Sequence, residues 1–115
     1  MEQIFNKLVT DNIPNIIEKN NEVPLTRILS DEEYQKELYK KLNEEVKEVI
    51  NSKTKEEILE ELADVLEVLK SIAEFNNKTL DDVIDISSKK RLKRGGFTKR
   101  IFLEKTYHKN DKKGE

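Results

Sequence analysis

Cysteine is absent from this chain of 115 residues, and histidine occurs once, at His108. A disulfide framework, a cysteine-based zinc site and a cysteine nucleophile are therefore excluded. A hard cation held by carboxylate oxygens remains compatible with the composition. No apolar run is long enough to cross a bilayer, and the opening "MEQIFNKLVT" lacks the apolar stretch of a signal peptide. We therefore expect a soluble, cytoplasmic protein that does not bind membranes.

Apolar side chains are also scarce, because they make up 35% of the residues whereas charged residues make up 40%. A chain this small and this polar gains little from its own core, so we expect a dimer or a larger assembly. The formal net charge of −2 gives no global signal for nucleic acid as a partner. Acids nevertheless crowd residues 31–67, and bases crowd residues 89–100.

The periodicity and the capping residues predict a mainly α fold, with a short N-terminal helix followed by three long helices. "DNIP" opens the short helix with Asp11 or Asn12 as its cap, and the helix runs to about residue 20. An S-x-x-E box at Ser30 and a T-x-x-E box at Thr54 open the first two long helices, over residues 31–51 and 55–75. Thr79 caps the third, which runs to Arg94 and stops at Gly95-Gly96.

Two segments outside these helices alternate between apolar and polar residues, as strands do. They are "VPLTRIL", residues 23–29, and "KRIFLEK", residues 99–105. We expect both to be extended, near the two ends of the chain, and to pair with each other or with "IFNKLV". A single domain is expected over residues 1–107, with a loose polar tail over residues 108–115.

Two pairs of carboxylates interrupt the apolar faces of consecutive long helices. Glu45 and Glu48 lie on the first, and Glu61 and Asp64 lie on the second. Residues three apart project from one helix face, and burying unpaired carboxylates close together is costly. Two antiparallel helices with such pairs would supply four carboxylates to Mg²⁺ or Mn²⁺. The same spacing also occurs on the solvated faces of charged helices, so the pattern alone leaves both interpretations open.

The last long helix ends in the basic stretch "SSKKRLKRGG". Lys90 and Arg94 are neighbours on one face, with Ser87 alongside and Arg91 close. The guanidinium fork and the ammonium point charge both suit phosphate oxygens. Two alternatives stay open at this stage: bases favoured by the dipole at a helix C-terminus, and a nucleic-acid patch.

"LNEEVKEV", followed by "ELAD", resembles the E-E-x-x-E…E-x-x-D signature of the MazG-like, all-α nucleoside triphosphate pyrophosphatases. "NKLVTDNIPNIIEKN", "TRILSDEEY" and "KRLKRGGFTKRIFLE" resemble the branch labelled phosphoribosyl-ATP pyrophosphohydrolase-like. The resemblance covers Asn6 to about Glu104. It implies a helical bundle completed as a homodimer or homotetramer, and Mg²⁺-dependent hydrolysis of a nucleotide between its α and β phosphates.

The resemblance also implies roles for individual residues. The implied metal ligands are Glu45, Glu48, Glu61 and Asp64. Glu44 matches the first glutamate of the signature and would orient water, so Glu44 and Glu45 are the catalytic candidates. The implied phosphate-binding residues are Lys90, Arg94, Arg91 and Lys7. One departure concerns Thr10, which stands where the branch usually has arginine in "KLVRD"; phosphate binding here would be weaker or arranged differently if that arginine contacts phosphate.

Three functions are compatible with these motifs. The first is a pyrophosphohydrolase that acts on nucleoside triphosphates. The second is hydrolysis of phosphoribosyl-ATP in histidine synthesis, where the broken bond is of the same kind. The third is a non-catalytic helical binding or regulatory module, against which the intact set of four carboxylates counts. The motifs do not define the base or the sugar of the substrate.

Overall fold

A computed structural model describes residues 1–111 of the chain. Its four helices are α1 (Ile13–Lys19), α2 (Asp31–Asn51), α3 (Lys55–Phe75) and α4 (Leu80–Arg94). The prediction of a mainly α fold with one short and three long helices is confirmed. None of the helices in this described range is long and apolar enough to cross a membrane.

The start of α2 is fixed by a reciprocal capping box. Ser30 Oγ accepts a hydrogen bond from the Glu33 backbone N–H at 3.2 Å, and Glu33 Oε1 accepts one from the Ser30 N–H at 3.3 Å. Arg27 clamps the same carboxylate from outside the helix, with its two terminal nitrogens 2.8 and 3.3 Å from the two oxygens. The side-chain hydrogen bond from Arg27 lowers the pKa of Glu33 to about 2. The carboxylate therefore stays ionised and fixes the entry of the chain into α2.

The other two long helices begin at related caps. Thr54 Oγ1 accepts from the Glu57 N–H at 3.1 Å, but the Glu57 carboxylate accepts from Lys53 rather than from Thr54. At α4 the box is reciprocal, because Asp82 Oδ2 accepts from the Thr79 N–H at 2.8 Å and Thr79 Oγ1 accepts from the Asp82 N–H at 3.2 Å. These caps explain why the helices begin where the sequence predicts.

The C-terminus of α4 also follows the prediction. Gly95 adopts a left-handed φ of +83°, and its N–H donates to the Arg91 carbonyl at 2.8 Å. A glycine accepts this backbone conformation at no steric cost and so terminates the helix.

The predicted strand pairing is wrong. Residues 23–29 and 99–105 are non-helical, but no β-strand forms anywhere in residues 1–111. Pro24 has no N–H to donate to a sheet. Arg100 has a φ of +58°, which breaks the extended path of the second segment, and its N–H closes a turn on the Phe97 carbonyl at 2.9 Å. Apolar alternation in a short segment was therefore not enough to specify a strand.

The chain divides into two compact units, Met1–Val83 and the residues from Ile84 onward, and each is described by itself. The single domain expected over residues 1–107 stays a prediction. Within the second unit, the Asp111 N–H closes a turn on the His108 carbonyl at 2.9 Å. The rest of the predicted polar tail, residues 112–115, lies outside the described residues.

Packing of α2 against α3 forms the core of the first unit. Leu38 of α2 and Val68 and Ala73 of α3 are buried. The rings of Tyr34 and Phe75 meet edge to face near one end of the pair, with their centroids 5.7 Å apart. The core is small. It covers the face of α3 that packs on α2 and leaves another apolar face of α3 exposed. That face exposes a row of leucines: Leu59, Leu62, Leu66 and Leu69.

Candidate active site

Packing of α2 on α3 brings three carboxylates together in the first unit. Glu45 projects from α2, and Glu61 and Asp64 project from adjacent turns of α3. One carboxylate oxygen from each residue lies within 4.8 Å of the other two. Glu45 and Glu61 are half-buried and Asp64 is exposed, so the group opens to solvent on one side. We call these three residues the acidic cluster.

The carboxylates of the cluster repel one another. Partial burial raises the pKa of Glu61, and the neighbouring charges of Asp64, Glu48 and Glu45 raise it further. Glu48 is exposed and lies outside the group whose oxygens converge within 4.8 Å. It is nevertheless close enough for its charge to act on Glu61. The structure thus brings together three of the four sequence-predicted ligands and places the fourth at the edge of the cluster.

The donor set fits a hard divalent cation. It contains only carboxylate oxygens, which Mg²⁺ and Mn²⁺ prefer, and none of the nitrogen or sulfur donors typical of zinc sites. Ligand oxygens of one octahedral Mg²⁺ ion are separated by about 3 Å when adjacent and by about 4.2 Å when opposite. Oxygens that already lie within 4.8 Å reach this spacing through small side-chain movements.

Lys41 is a neighbour of the cluster that the motif analysis missed. Its ammonium lies 3.6 Å from Glu44 Oε2 and 3.8 Å from Glu45 Oε1, and its side chain is only 20% exposed. The sequence contained a signal for this contact, because residues three and four apart on a helix are neighbours. Glu44, the predicted water-orienting residue, is thus held by an ion pair at the edge of the cluster.

The second unit contains a basic pocket of about 410 Å³ at the C-terminus of α4. Its lining residues are Ser87, Lys90, Arg91, Arg94, Gly95, Gly96 and Phe97. Within residues 84–111, Lys90 and Arg94 form no ion pair, whereas Lys89 lies 3.2 Å from Asp85. Two cations are therefore available to an anion that enters the pocket.

Gly96 shapes the basic pocket through its lack of a side chain. A Cβ at this position would lie 2.9 Å from the guanidinium carbon of Arg91, closer than such atoms approach. The glycine thus lets the Arg91 guanidinium lie against the backbone and face the pocket. Three of the four sequence-predicted phosphate-binding residues, Lys90, Arg91 and Arg94, line this one surface.

The fourth predicted phosphate-binding residue, Lys7, belongs to the first unit. Its side chain is exposed, and its ammonium lies 5.5 Å from the centroid of the Phe5 ring. Lys7 is therefore engaged in a local cation–π contact. The acidic cluster and the basic pocket belong to different units, and each has a self-contained geometry.

Comparison with known families matches part of the chain to one family model. The model, described as the MazG nucleotide pyrophosphohydrolase domain, matches residues 33–95. This range contains the acidic cluster, Lys41, Glu48 and the bases of α4, and it excludes Lys7. No curated protein and no solved structure matches the chain.

Proposed function

Because the chain belongs to the MazG nucleotide pyrophosphohydrolase family and is therefore a nucleotide pyrophosphohydrolase, we propose that its substrate is a nucleoside triphosphate and that Mg²⁺ is its cofactor. The products are the nucleoside monophosphate and pyrophosphate. The observation that carries the proposal is the convergence of Glu45, Glu61 and Asp64, whose oxygens lie within 4.8 Å of one another. A cytoplasmic location, where nucleoside triphosphates are abundant, is part of the proposal.

The residues of the acidic cluster bind the ion in this proposal, with Glu48 as a further ligand from the edge of the cluster. When bound, Mg²⁺ or Mn²⁺ neutralises phosphate charge and lowers the pKa of a water molecule. Glu44 accepts a hydrogen bond from the attacking water and orients it, while Lys41 holds the Glu44 carboxylate at 3.6 Å. Glu45 serves both as ligand and as part of the catalytic pair with Glu44.

The bases of α4 bind the substrate phosphates. The water oxygen forms a bond to the α phosphorus and gives up a proton to solvent, and the bond from that phosphorus to the bridging oxygen breaks. The electron pair leaves with pyrophosphate, so negative charge grows on the leaving group. Lys90 and Arg94 stabilise this charge, with Arg91 and Lys7 as further phosphate contacts. The bases contact the phosphates through charge-assisted hydrogen bonds. Because water attacks the phosphorus directly, no side chain becomes covalently attached to the substrate.

An assay of pyrophosphate release across a panel of nucleotides tests this function. We expect release from at least one nucleoside triphosphate in the presence of Mg²⁺, in equal amounts with the monophosphate, and its loss in EDTA. Turnover of phosphoribosyl-ATP alone would favour the histidine-synthesis reaction, to which the "RGGF" motif also points. Binding of nucleotides without release of pyrophosphate would favour a non-catalytic module. Release of orthophosphate instead would place the cleavage at another bond and contradict the proposal.

We also propose that the protein works as a homodimer or homotetramer. The exposed row of leucines on α3 supports this, because Leu59 and Leu66 remain 67% and 49% exposed. Val23, Leu25 and Ile28, on the segment before α2, are 95–100% exposed. Apolar side chains this exposed are typical of surfaces that a partner covers.

Sedimentation velocity at micromolar concentration checks the assembly. We expect a dimer or a tetramer for the unchanged chain and a shift towards monomer for Leu66→Glu, because a charge in an apolar interface is costly to desolvate. Glu67→Gln, an exposed polar position next to Leu66, serves as the control and should leave the assembly unchanged. If the unchanged protein sediments only as a monomer, the proposal is contradicted.

A further inference from the structure

We propose that Lys41 is a positioning residue that stabilises the acidic cluster when no metal is bound and weakens the hold of the cluster on a divalent ion. The inference rests on the proposed function, since it concerns the same carboxylates. Its basis is one ammonium that lies 3.6 Å from Glu44 Oε2 and 3.8 Å from Glu45 Oε1.

Burial distinguishes Lys41 from an ordinary surface ion pair. Exposed pairs contribute little because both side chains are solvated and mobile. The side chains of Lys41 and Glu45 are only 20% and 15% exposed, whereas the neighbouring Lys40 is exposed. The partly buried stem of Lys41 restricts where its ammonium can move. Its charge therefore acts on the two glutamates in a setting with less solvent screening.

The sign of the effect differs between the two states of the site. Without metal, the carboxylates of Glu45, Glu61 and Asp64 repel one another, and the Lys41 ammonium offsets part of this repulsion. A divalent cation bound by Glu45 would be repelled by the ammonium, which lies 3.8 Å from Glu45 Oε1. Lys41 thus stabilises the empty cluster and disfavours the loaded one, so it lowers metal affinity.

This arrangement has a consequence for the order of binding. Because the Lys41 ammonium lies beside the acidic cluster, the cluster binds a free divalent ion less tightly than the same carboxylates would without Lys41. The negative phosphates of a nucleotide add the missing attraction, so the ion and the nucleotide bind more tightly together than either does alone.

The test compares Lys41→Met with the matched control Lys40→Met, at equal protein concentration. We expect Lys41→Met to melt several degrees lower in EDTA, because the carboxylates lose their counter-ion. We expect the Mg²⁺ concentration needed for a given rise in melting temperature to fall, by roughly threefold to tenfold for a charge of this proximity. Lys40→Met should match the unchanged protein in both measurements, and Lys41→Arg should restore both.

Each outcome decides the matter. A higher Mg²⁺ requirement in Lys41→Met, or values equal to those of Lys40→Met, overturns the inference about Lys41 while the proposed function stands. No melting shift by Mg²⁺ in either the unchanged protein or Lys41→Met overturns the metal site itself, and with it both proposals. If Lys41→Met does not fold, Lys41→Gln retains a polar side chain without the charge and is measured in the same way.

Discussion

We expect Glu61→Gln to abolish pyrophosphate release, with a loss of kcat/KM on the order of a thousandfold or more, in a protein that remains folded. The amide is nearly the same size as the carboxylate, so packing of α2 on α3 is kept. The acidic cluster loses a negative charge and, under the proposed function, one of its metal-binding oxygens. Glu60→Gln, the same change at the adjacent exposed position, is the control and should retain full activity.

The same variant is expected to melt higher than the unchanged protein in metal-free buffer at pH 7. Burial and the neighbouring carboxylates raise the pKa of Glu61 in the folded state. A carboxyl group with a raised pKa contributes stability that is present below its unfolded pKa and lost as the pH rises through the folded pKa. Glutamine has no proton to lose, so the advantage of Glu61→Gln should shrink as the pH falls towards 4.5 and below.

Addition of Mg²⁺ completes this experiment. The ion binds only the folded state, so it should raise the melting temperature of the unchanged protein more than that of Glu61→Gln. Full activity of Glu61→Gln, or an equal rise of both melting temperatures, would show that these carboxylates do not share a metal ion. Measurement of Glu60→Gln in the same series excludes a general effect of removing one negative charge.

The double variant Lys90→Ala/Arg94→Ala should lose about 10²–10⁴ in kcat/KM, because in the proposed mechanism both bases stabilise the charge that grows on the leaving pyrophosphate. Both side chains line the basic pocket and neither is paired with a carboxylate within residues 84–111. Their removal therefore leaves no buried partner behind, and the melting temperature should change little.

A matched control for this variant lies on the same helix. Lys89→Ala/Lys93→Ala removes two positive charges with the same spacing, but neither residue lines the pocket. It should keep most of the activity, since only the long-range attraction for a polyanion is reduced. Equal losses in the two double variants would mean that the bases act through net charge alone. No loss in either would leave them as dipole-favoured residues at the end of α4.

The helix boundaries could be predicted from the sequence because their causes are local. Ser30, Thr54 and Thr79 each accept a hydrogen bond from a backbone N–H three residues on, and Gly95 ends α4 with a left-handed φ and a hydrogen bond to Arg91, four residues back. Such contacts depend on a few consecutive residues, so they can be predicted from a single sequence. The predicted strand pairing was wrong for the opposite reason. A strand needs a partner strand, and a short alternating segment does not specify which segment that partner is.

The acidic cluster was harder to predict than the helices that carry it. α3 is apolar around most of its circumference, so periodicity does not say which face meets α2. Glu61 and Asp64 could be placed near Glu45 only once the packing was known. Glu48 lies one turn further and stays exposed, and Lys41 escaped notice because lysine beside glutamate is common on any charged helix.

The clamp between Arg27 and Glu33 ties down the segment that carries Val23, Leu25 and Ile28. A free peptide of this length samples many backbone conformations, and each fixed residue costs about 1–2 kcal/mol of conformational entropy. The bidentate contact, at 2.8 and 3.3 Å, restricts that sampling in the isolated chain. A partner that covers these side chains therefore meets a segment already limited in its shapes. Less entropy would be lost if a partner docked there, so the clamp would favour the proposed association while adding little to the stability of α2 itself.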